Sequence, residues 1–388
     1  MSSTQTTDAD PGRAREAKVA AMRAVFERSG FAHVEPPLLQ PADVFLDRSG
    51  EDIRRRLYVF NDPGGQELCL RPDLTIPTCR LYLEAGARGE AKFCYSGSVF
   101  RFEPKGSGKP TEVVQTGAEF FGAADAEAAD AEMLALAARA VREGGLQQFD
   151  IEMGDLALFD ALVDALDIPG GWRSRLKRHF WRPAYFRDLV ARLAGNNEDA
   201  RGEEQAGLLA ALSALDEKSA RTVIADVLDL AKIAPVGGRS IADIAERFLE
   251  RAADASAAPL SKETASLIEN FLSLSLAPGD VARTIRDLTG AAGVSIEPQL
   301  AALERRFDLI AKKGVDLSRA RFETGFGRTL EYYTGFVFEL RAAGKGAEGA
   351  IAGGGRYDGL LQSLGAPAPV PAVGCAITLE RLIGEARS

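Results

Sequence analysis

Histidine is scarce in this chain of 388 residues, which contains only His33 and His179. Metal centres and acid–base sites built on histidine therefore have little to draw on. Cysteine is also rare, and no pair of cysteines has the spacing of a metal site or of a disulfide framework. The four cysteines are Cys69, Cys79, Cys94 and Cys375. We expect reduced core cysteines, no structural zinc and no cofactor.

Long hydrophobic runs and a basic excess are absent as well. No stretch approaches 18 apolar residues, and the opening MSSTQTTDADPGRARE lacks the apolar segment of a secretory signal and is too acidic for a transit peptide. The chain carries 47 basic and 56 acidic residues, for a net charge of −9. This balance argues against a general nucleic-acid-binding surface but leaves a local one open. We expect a cytoplasmic protein with no membrane association.

The pattern of elements changes twice along the chain. Residues 1–161 and 316–388 alternate between strand-like and helix-like segments, whereas residues 162–315 are helical almost throughout. The strands of the last 70 or so residues have to rejoin the first 160 or so to complete one sheet. We therefore expect an α+β core domain of residues 1–161 and 316–388, interrupted by a helical insertion domain of residues 162–315.

The pattern of residues 93–122 predicts an antiparallel hairpin with charged side chains at positions where a strand normally has core residues. Two runs of period-two alternation, Phe93–Glu103 and Glu112–Phe120, flank a Pro/Gly/Lys/Ser loop. Arg101 shares a face with Tyr95 on the first strand, and Gln115, Gly117 and Glu119 share a face on the second. Such polar groups are costly to bury unless they pair with each other or with a ligand. The hairpin therefore indicates the floor of a small polar pocket, with Gly117 leaving room above it.

Other segments are predicted more coarsely. In LRPDLTIPTCRLYLEAG, Asp73 and Thr75 open a helix, and their side chains either cap it or face the pocket. LQQFDIEMGDLALF and FETGFGRTLEYYTGFVFEL are predicted as strands, and AIAGGGRYDGLLQSL as a glycine turn feeding a helix. The segment WRSRLKRHFWRPAYFR, residues 172–187, interleaves basic and aromatic residues. It either binds RNA or an acidic partner, or is a solvated helix face, which we favour.

Taken together, several segments resemble histidyl-tRNA synthetase. FRFE with QTGAEFFG resembles its class II motif 2, RTLEYYTGFVFE and GGGRYDGLL its two histidine-recognition segments, and GCAITLERL its motif 3. The helix before FAHVEPPLL is similar to motif 1, and RPDLT to the family's RPEGT. The resemblance implies a class II synthetase-like antiparallel sheet flanked by helices, with motif 1 at a homodimer interface.

The resemblance also implies an amino-acid pocket. Asp73 stands where the family has a glutamate for the α-amino group, Arg101 matches the motif 2 arginine, and Tyr333 and Tyr357 supply hydroxyls near the imidazole. Because Arg328 and Tyr333 are five residues apart, a bulge or the preceding GFG must re-aim one of them. The residues carried over for histidine binding are Asp73, Thr75, Arg101, Gln115, Glu119, Arg328, Tyr332, Tyr333 and Tyr357.

The sequence departs from the family at positions that contact the nucleotide in the synthetases. The family's GRYRQFHQ is GKPTEVVQ here, so Thr111 replaces an arginine and Glu112 a glutamine, which weakens the electrostatics for phosphate. Thr329 and Thr378 stand at glycine positions, the second where adenine passes close to the backbone. The chain also ends at Ser388, where a synthetase continues into an anticodon-binding domain.

This combination resembles the synthetase-like regulatory subunits of ATP phosphoribosyltransferase. The resemblance implies a non-catalytic protein that binds a short-form catalytic subunit in a hetero-oligomer, which we expect to be a hetero-octamer. It also implies that the protein helps histidine inhibit the first step of histidine biosynthesis. Histidine binds either the synthetase-like pocket or a subunit junction. Two alternatives stay open: an enzyme that activates histidine and transfers it to an acceptor other than tRNA, and an RNA-binding adaptor that uses residues 172–187.

Overall fold

A computed structural model describes residues 11–46, 55–86, 89–180, 183–194, 222–223, 260–327, 332–344 and 350–386. The chain divides into two compact units, one of residues 1–165 and 270–388 and one of residues 166–269. Residues 270–315, which the sequence assigns to the insertion, lie in the first unit; the domain division itself stays a prediction. Within the described ranges, no helix is both long and apolar enough to cross a membrane.

The strands of the described residues form two sheets. In chain order they are β1 (Ala32–His33), β2 (Leu39–Pro41), β3 (Val59–Asn61), β4 (Glu67–Leu70), β5 (Ala91–Phe100), β6 (Glu112–Phe121), β7 (Phe149–Asp155), β8 (Ser275–Leu276), β9 (Ala320–Glu323), β10 (Phe336–Ala342), β11 (Ala350–Arg356) and β12 (Ala372–Thr378). The larger sheet has the order β1-β5-β6-β12-β11-β10-β7-β9-β8, and the smaller one β2-β4-β3. Neighbours are antiparallel except for the pairs β1/β5 and β7/β9.

The helices lie on both faces of the larger sheet and in the second unit. In chain order the described ones are α1 (Pro11–Glu27), α2 (Asp43–Leu46), α3 (Thr75–Glu84), α4 (Ala126–Glu143), α5 (Leu156–Ala165), α6 (Gly170–His179), α7 (Pro183–Leu193), α8 (Lys262–Leu272), α9 (Pro278–Ala291), α10 (Glu297–Lys312), α11 (Leu360–Ser363) and α12 (Leu379–Ala386). Helices α1 and α4 pack against the strands, and α10 packs against α4. We call this covered side the back face. The front face is the one on which Glu119 lies.

The predicted hairpin of residues 93–122 is confirmed, and a second hairpin precedes it. β3 and β4 pair across the turn at Asp62–Gly65, and β5 and β6 pair from Ala91↔Phe121 to Phe100↔Glu112. Tyr95 lies opposite Gly117 and Gly97 opposite Gln115 in this register, so these positions share the front face with Glu119. In FAHVEPPLL only the two residues of β1 form a strand, at the sheet edge, since proline lacks the N–H that a ladder needs.

Three segment predictions are wrong in part. LALF begins helix α5 rather than ending a strand, because the Asp155 carboxylate accepts the Ala157 N–H (3.0 Å) and caps a run of good helix formers. FETGFGRTLEYYTGFVFEL contains two strands, β9 and β10, separated by a turn with Gly327 at φ +84°. AIAGGGR is strand β11 rather than a turn. Two of its glycines are needed in a central strand, because a Cβ at Gly354 would collide with the Gly374 carbonyl and the Phe338 ring, and one at Gly355 with Val337 and the Phe336 carbonyl.

A buried ion-pair network joins the back helices to the sheet. Asp130 of α4 is fully buried and accepts hydrogen bonds from Arg306 Nε of α10 (2.8 Å) and from Arg356 Nη2 of β11 (2.6 Å). Arg306 also donates to Asp155 (2.9 Å), and Arg356 to Asp358 (3.0 Å). Because each buried guanidinium meets carboxylates, the charges compensate each other away from water. We call these residues the Asp130 network.

The N-terminus of α4 offers a smaller test. Asp125 Oδ1 accepts the Ala128 N–H (3.1 Å), and its carboxylate also binds Arg305. We expect Asp125→Ala to lower the free energy of unfolding by about 1 kcal/mol, because the cap is lost and the exposed ion pair adds little. Asp125→Asn keeps a cap and should stay within a few tenths of a kcal/mol of wild type. Urea unfolding measures both, and an equally stable alanine variant would contradict the capping role.

The basic and aromatic segment lies in the second unit. Trp172, Phe180 and Phe186 are buried there, so these rings form core and are not available to stack on bases. Arg178 and Arg187 are exposed, whereas Trp181 and Arg182 lie outside the described residues. The buried rings favour the interpretation of this segment as a helix pair with a solvated basic face.

Candidate amino-acid-binding site

The candidate site is centred on Glu119, a fully buried carboxylate on the front face of β6. The Tyr95 hydroxyl donates to Glu119 Oε1 (2.8 Å), and the Tyr357 hydroxyl donates to Oε2. Thr75 makes a further hydrogen bond to this carboxylate. Burial raises the pKa of Glu119 to about 7, while the hydrogen bonds from Tyr357, Thr75 and Tyr95 oppose that rise. Glu119 is therefore an acceptor whose charge changes near neutral pH.

The start of helix α3 supplies two further predicted residues. Asp73 Oδ1 accepts the Ile76 N–H (3.1 Å), and Pro77 falls in the first turn, where its missing N–H costs nothing. Burial raises the pKa of Asp73, opposed by its backbone hydrogen bonds and by the charge of Arg101. Asp73 thus accepts a backbone N–H at the start of the helix and also lies in the polar cluster beside Arg101, while Thr75 bonds Glu119.

Arg101 lies just beyond the end of β5. Its Nε donates to the carbonyl of Pro72 (2.9 Å), which directly precedes Asp73. Burial lowers the pKa of Arg101, and the negative charge of Asp73 acts in the opposite direction. The guanidinium is therefore held beside the Asp73 carboxylate, at the edge of the polar cluster.

Gln115 has an unused acceptor. The residue is 5% exposed, and its Oε1 has no hydrogen-bond partner among the described residues. It occupies the front face of β6, in alternation with Gly117 and Glu119. An unpaired buried acceptor is unfavourable, so a ligand that donates a hydrogen bond would improve this site.

A tyrosine wall closes one side of the cluster. The rings of Tyr332 and Tyr333 meet edge to face with centroids 4.8 Å apart, and Tyr332 meets Tyr357 in the same way at 5.8 Å. Burial is the main cause that raises the pKa values of all three hydroxyls, which stay neutral donors. Arg328 lies outside the described residues. The structure brings Asp73, Thr75, Arg101, Glu119, Tyr332, Tyr333 and Tyr357 into one cluster, and Gln115 lies farther along the same face of β6.

Glycines line the front face at this point. A Cβ at Gly117 would collide with the Cys375 carbonyl and the Tyr95 hydroxyl. The space above Gly117 is thus occupied by the Tyr95 ring, where the sequence predicted open room. Gly374 lies opposite Glu119 on β12, and a Cβ there would collide with the Glu119 carboxylate. These glycines seat the polar side chains rather than a ligand.

The sequence places Tyr95 on the charged face of the hairpin together with Arg101, but Tyr95 was not among the predicted site residues and its contact with Glu119 was missed. The alternation on β5 contained the signal, because it places Tyr95 on the charged face of the hairpin opposite a glycine. The contacts of Gly374 and Arg71 had no such signal, since each depends on pairing between distant segments.

The loop side of the hairpin is arranged differently. Glu103 is paired with Arg56, which also donates to the Phe102 carbonyl (3.3 Å). Thr111 and Glu112 are exposed. The acidic group on this side therefore has a basic partner from another segment of the same unit.

Charged side chains of helix α12 are also paired within the chain. Glu380 accepts the Val114 N–H (3.0 Å) and binds Arg15 of α1 (2.5 Å). Arg381 donates to the Ala350 carbonyl (2.9 Å). Both side chains thus have partners within the chain.

A separate cavity of about 420 Å³ lies at strands β7 and β9. Its charged lining is largely paired internally, because Arg319 binds Asp150 (2.6 Å) and Arg341 binds Glu152. We place the site on the front face of β6 instead, where Glu119 lies and where Gln115 has an unsatisfied buried acceptor.

The fold and the segments around Glu119 define a class II aminoacyl-tRNA synthetase-like domain. The family model for histidyl-tRNA synthetase matches residues 5–246 and 230–382. Among solved structures, an ATP phosphoribosyltransferase regulatory subunit/histidyl-tRNA synthetase from Bacillus halodurans is similar with a TM-score of 0.67 and 20% identity, covering 100% of this chain and 85% of that one. A histidine–tRNA ligase subunit from Alicyclobacillus acidocaldarius is similar with a TM-score of 0.57 and 25% identity, covering 100% and 97%.

Curated relatives narrow the assignment. The ATP phosphoribosyltransferase regulatory subunit of Brucella anthropi is 37% identical over 364 residues, which cover 93% of this chain and 95% of that protein. The protein of the same name from Brucella canis is 38% identical over 352 residues, 90% and 92% of the two chains. The chain belongs to the family of ATP phosphoribosyltransferase regulatory subunits, within the histidyl-tRNA synthetase fold.

Proposed function

We propose that this chain is a non-catalytic subunit that binds the short-form catalytic subunit of ATP phosphoribosyltransferase, activates it and mediates its inhibition by histidine. It would act in the cytoplasm at the first step of histidine biosynthesis, as a homodimer within a hetero-octamer. The chain is 37–38% identical to regulatory subunits of ATP phosphoribosyltransferase, and this relationship supports the catalytic subunit as its partner. The chemistry of the pocket supports the effector.

The observation that carries the effector proposal is the buried polar cluster with its unused acceptor. An α-ammonium needs carboxylate and amide acceptors, which Asp73 and Gln115 offer. An imidazole N–H needs a strong acceptor, which Glu119 supplies, while the tyrosine hydroxyls are neutral partners for its second nitrogen. Histidine carries both groups and therefore fits this set.

The other half of the synthetase-like site supports a role without catalysis. Glu103 is paired with Arg56, Arg381 is bonded to a backbone carbonyl, and the hairpin loop lacks an arginine at Thr111. Groups that stabilise a transferred phosphoryl must be free and aimed at the developing charge. We infer that the pocket senses histidine without adenylating it and that tRNA is not a partner.

Inhibition requires that histidine bind the two states of the complex with different affinities. The Asp130 network lies one residue from the pocket, because Arg356 precedes Tyr357. A shift of Tyr357 on binding would therefore reach α4 and α10 through a short, stiff path. This is the structural basis that we propose for the coupling.

The proposal is tested by co-expression with a short-form catalytic subunit from the same organism. We expect the two chains to co-purify, phosphoribosyl transfer to rise when this chain is added, and histidine to reverse the rise. The purified chain alone should show neither phosphoribosyl transfer nor histidine-dependent ATP–pyrophosphate exchange. Clear exchange by the pure protein would instead support the histidine-activating enzyme, and a lack of association would overturn the regulatory role.

A further inference from the structure

Arg71, the first residue of the RPDLT segment, is a buried arginine beside β5 that was not among the predicted site residues. It follows β4 and is 7% exposed. Its Nε donates to the Ser98 carbonyl (2.8 Å) and its Nη1 to the Pro36 carbonyl (2.5 Å). Among the residues that the structure describes, its Nη2 has neither a hydrogen-bond partner nor a carboxylate. Burial lowers the pKa of Arg71, with no opposing acidic group.

The free nitrogen lies on the front face of the sheet. A Cβ at Gly97 would collide with Arg71 Nη2, so the guanidinium covers the position of a missing side chain on β5. Gly97 is directly opposite Gln115 on β6. Directly opposed residues of an antiparallel pair have side-chain positions about 5 Å apart. An unpaired cationic donor and an unpaired amide acceptor therefore occupy neighbouring positions of one face.

A guanidinium removed from water is stabilised best by a carboxylate, which it binds through paired N–H groups. Most of Arg71 is buried, but its Nη2 is not fully buried, so an anion can reach this nitrogen from solvent. The two carbonyl contacts leave the net charge of Arg71 uncompensated. The position therefore favours an anionic group supplied from outside the described chain.

An α-amino acid carries the two missing complements on one carbon, because its carboxylate accepts and its ammonium donates. We propose that Arg71 Nη2 binds the carboxylate of the amino-acid effector while Gln115 Oε1 accepts from its ammonium. This inference rests on the proposed function, since it assumes that the pocket binds histidine. It adds a residue that distinguishes an intact amino acid from an analogue without the carboxylate.

The experiment compares histidine with histidinol, in which a hydroxymethyl group replaces the carboxylate, by calorimetric binding to the full chain. Wild type should bind histidine at least about tenfold more tightly than histidinol. Arg71→Gln should lower the affinity for histidine about tenfold or more and leave that for histidinol within about twofold. Arg71→Lys keeps the charge and should recover part of the preference.

Arg80→Gln is the matched control. Arg80 lies on α3 and binds Gln40 (2.7 Å) and Glu84 (3.2 Å), so both affinities should stay at wild-type values. If Arg71→Gln weakens both ligands equally, the residue is only a structural link and the inference fails. If Arg71→Gln does not fold, wild type and Arg71→Lys decide the test. The inference is then overturned if wild type binds histidine and histidinol equally and Arg71→Lys shows the same lack of preference. A wild type that binds neither ligand would instead overturn the proposed function.

Discussion

Glu119→Gln should weaken histidine binding by about 1.5–3 kcal/mol, which is roughly a 10- to 150-fold rise in Kd. Glutamine keeps the shape of the side chain but removes the charge and one acceptor oxygen. It cannot accept hydrogen bonds from Tyr95 and Tyr357 on both atoms and still serve a donating ligand. Isothermal titration calorimetry with the purified chain measures the change.

The pH dependence separates lost charge from lost shape. Because the pKa of Glu119 is raised from 4.5 to about 7 in the folded chain, its effect on stability is favourable below about pH 4.5 and is lost as the pH rises through 7. The glutamine variant should therefore be at least as stable as wild type at pH 8. The affinity gap between the two proteins should narrow as the pH falls from 8 to 5.5, and this comparison cancels the titration of the ligand's own imidazole.

Glu112→Gln serves as the control for this experiment. Glu112 is an exposed residue at the start of the same strand, so its variant should bind histidine as wild type does. Unchanged affinity in a folded Glu119→Gln protein would place the histidine site elsewhere, for example at a junction with the catalytic subunit.

Asp130→Ala should lower the free energy of unfolding by about 3–5 kcal/mol. The carboxylate is fully buried and accepts from both Arg306 and Arg356, so its removal leaves two guanidinium groups with too little negative charge. This is a large part of the 5–15 kcal/mol typical of a folded domain. Urea unfolding followed by circular dichroism measures the loss.

Glu132→Ala on the same helix is the comparison. Glu132 binds Lys92 (2.8 Å) with both side chains more than a fifth exposed, so its loss should cost no more than about 1 kcal/mol. If the two variants lose equal stability, burial does not set the strength of the Asp130 network. In that case Arg356 would also be a poor candidate for coupling the pocket to the back helices.

The local part of the site could be predicted from the sequence. Alternation along 93–122 fixes which residues of β5 and β6 share the front face with Glu119, since neighbouring positions of a strand point to opposite faces. Asp73 and Thr75 stand where a helix must begin, before Pro77 in its first turn. These features depend only on neighbours in the chain, and the structure confirms them.

The remaining features depend on pairings that no local pattern encodes. Gly354 and Gly355 of β11 resemble turn residues until the side chains and carbonyls of the neighbouring strands that crowd them are known. Arg356 and Asp130 are 226 residues apart in the sequence. Arg71 is held in position by its hydrogen bond to Ser98 of β5. Sequence spacing cannot reveal such contacts, because the order of strands in the sheet decides them.

The contact between Gly374 and Glu119 constrains the order in which mutations can accumulate. A side chain at position 374 meets the Glu119 carboxylate, which can be shortened, and approaches the Ala118 carbonyl to only 3.0 Å. At Gly117, by contrast, the Cys375 carbonyl itself stands in the way. We therefore expect a side chain at position 374 to be tolerated only in variants with a smaller residue at position 119, and only where the strand shifts slightly from the Ala118 carbonyl. At Gly117 no such replacement helps, because the obstacle is backbone.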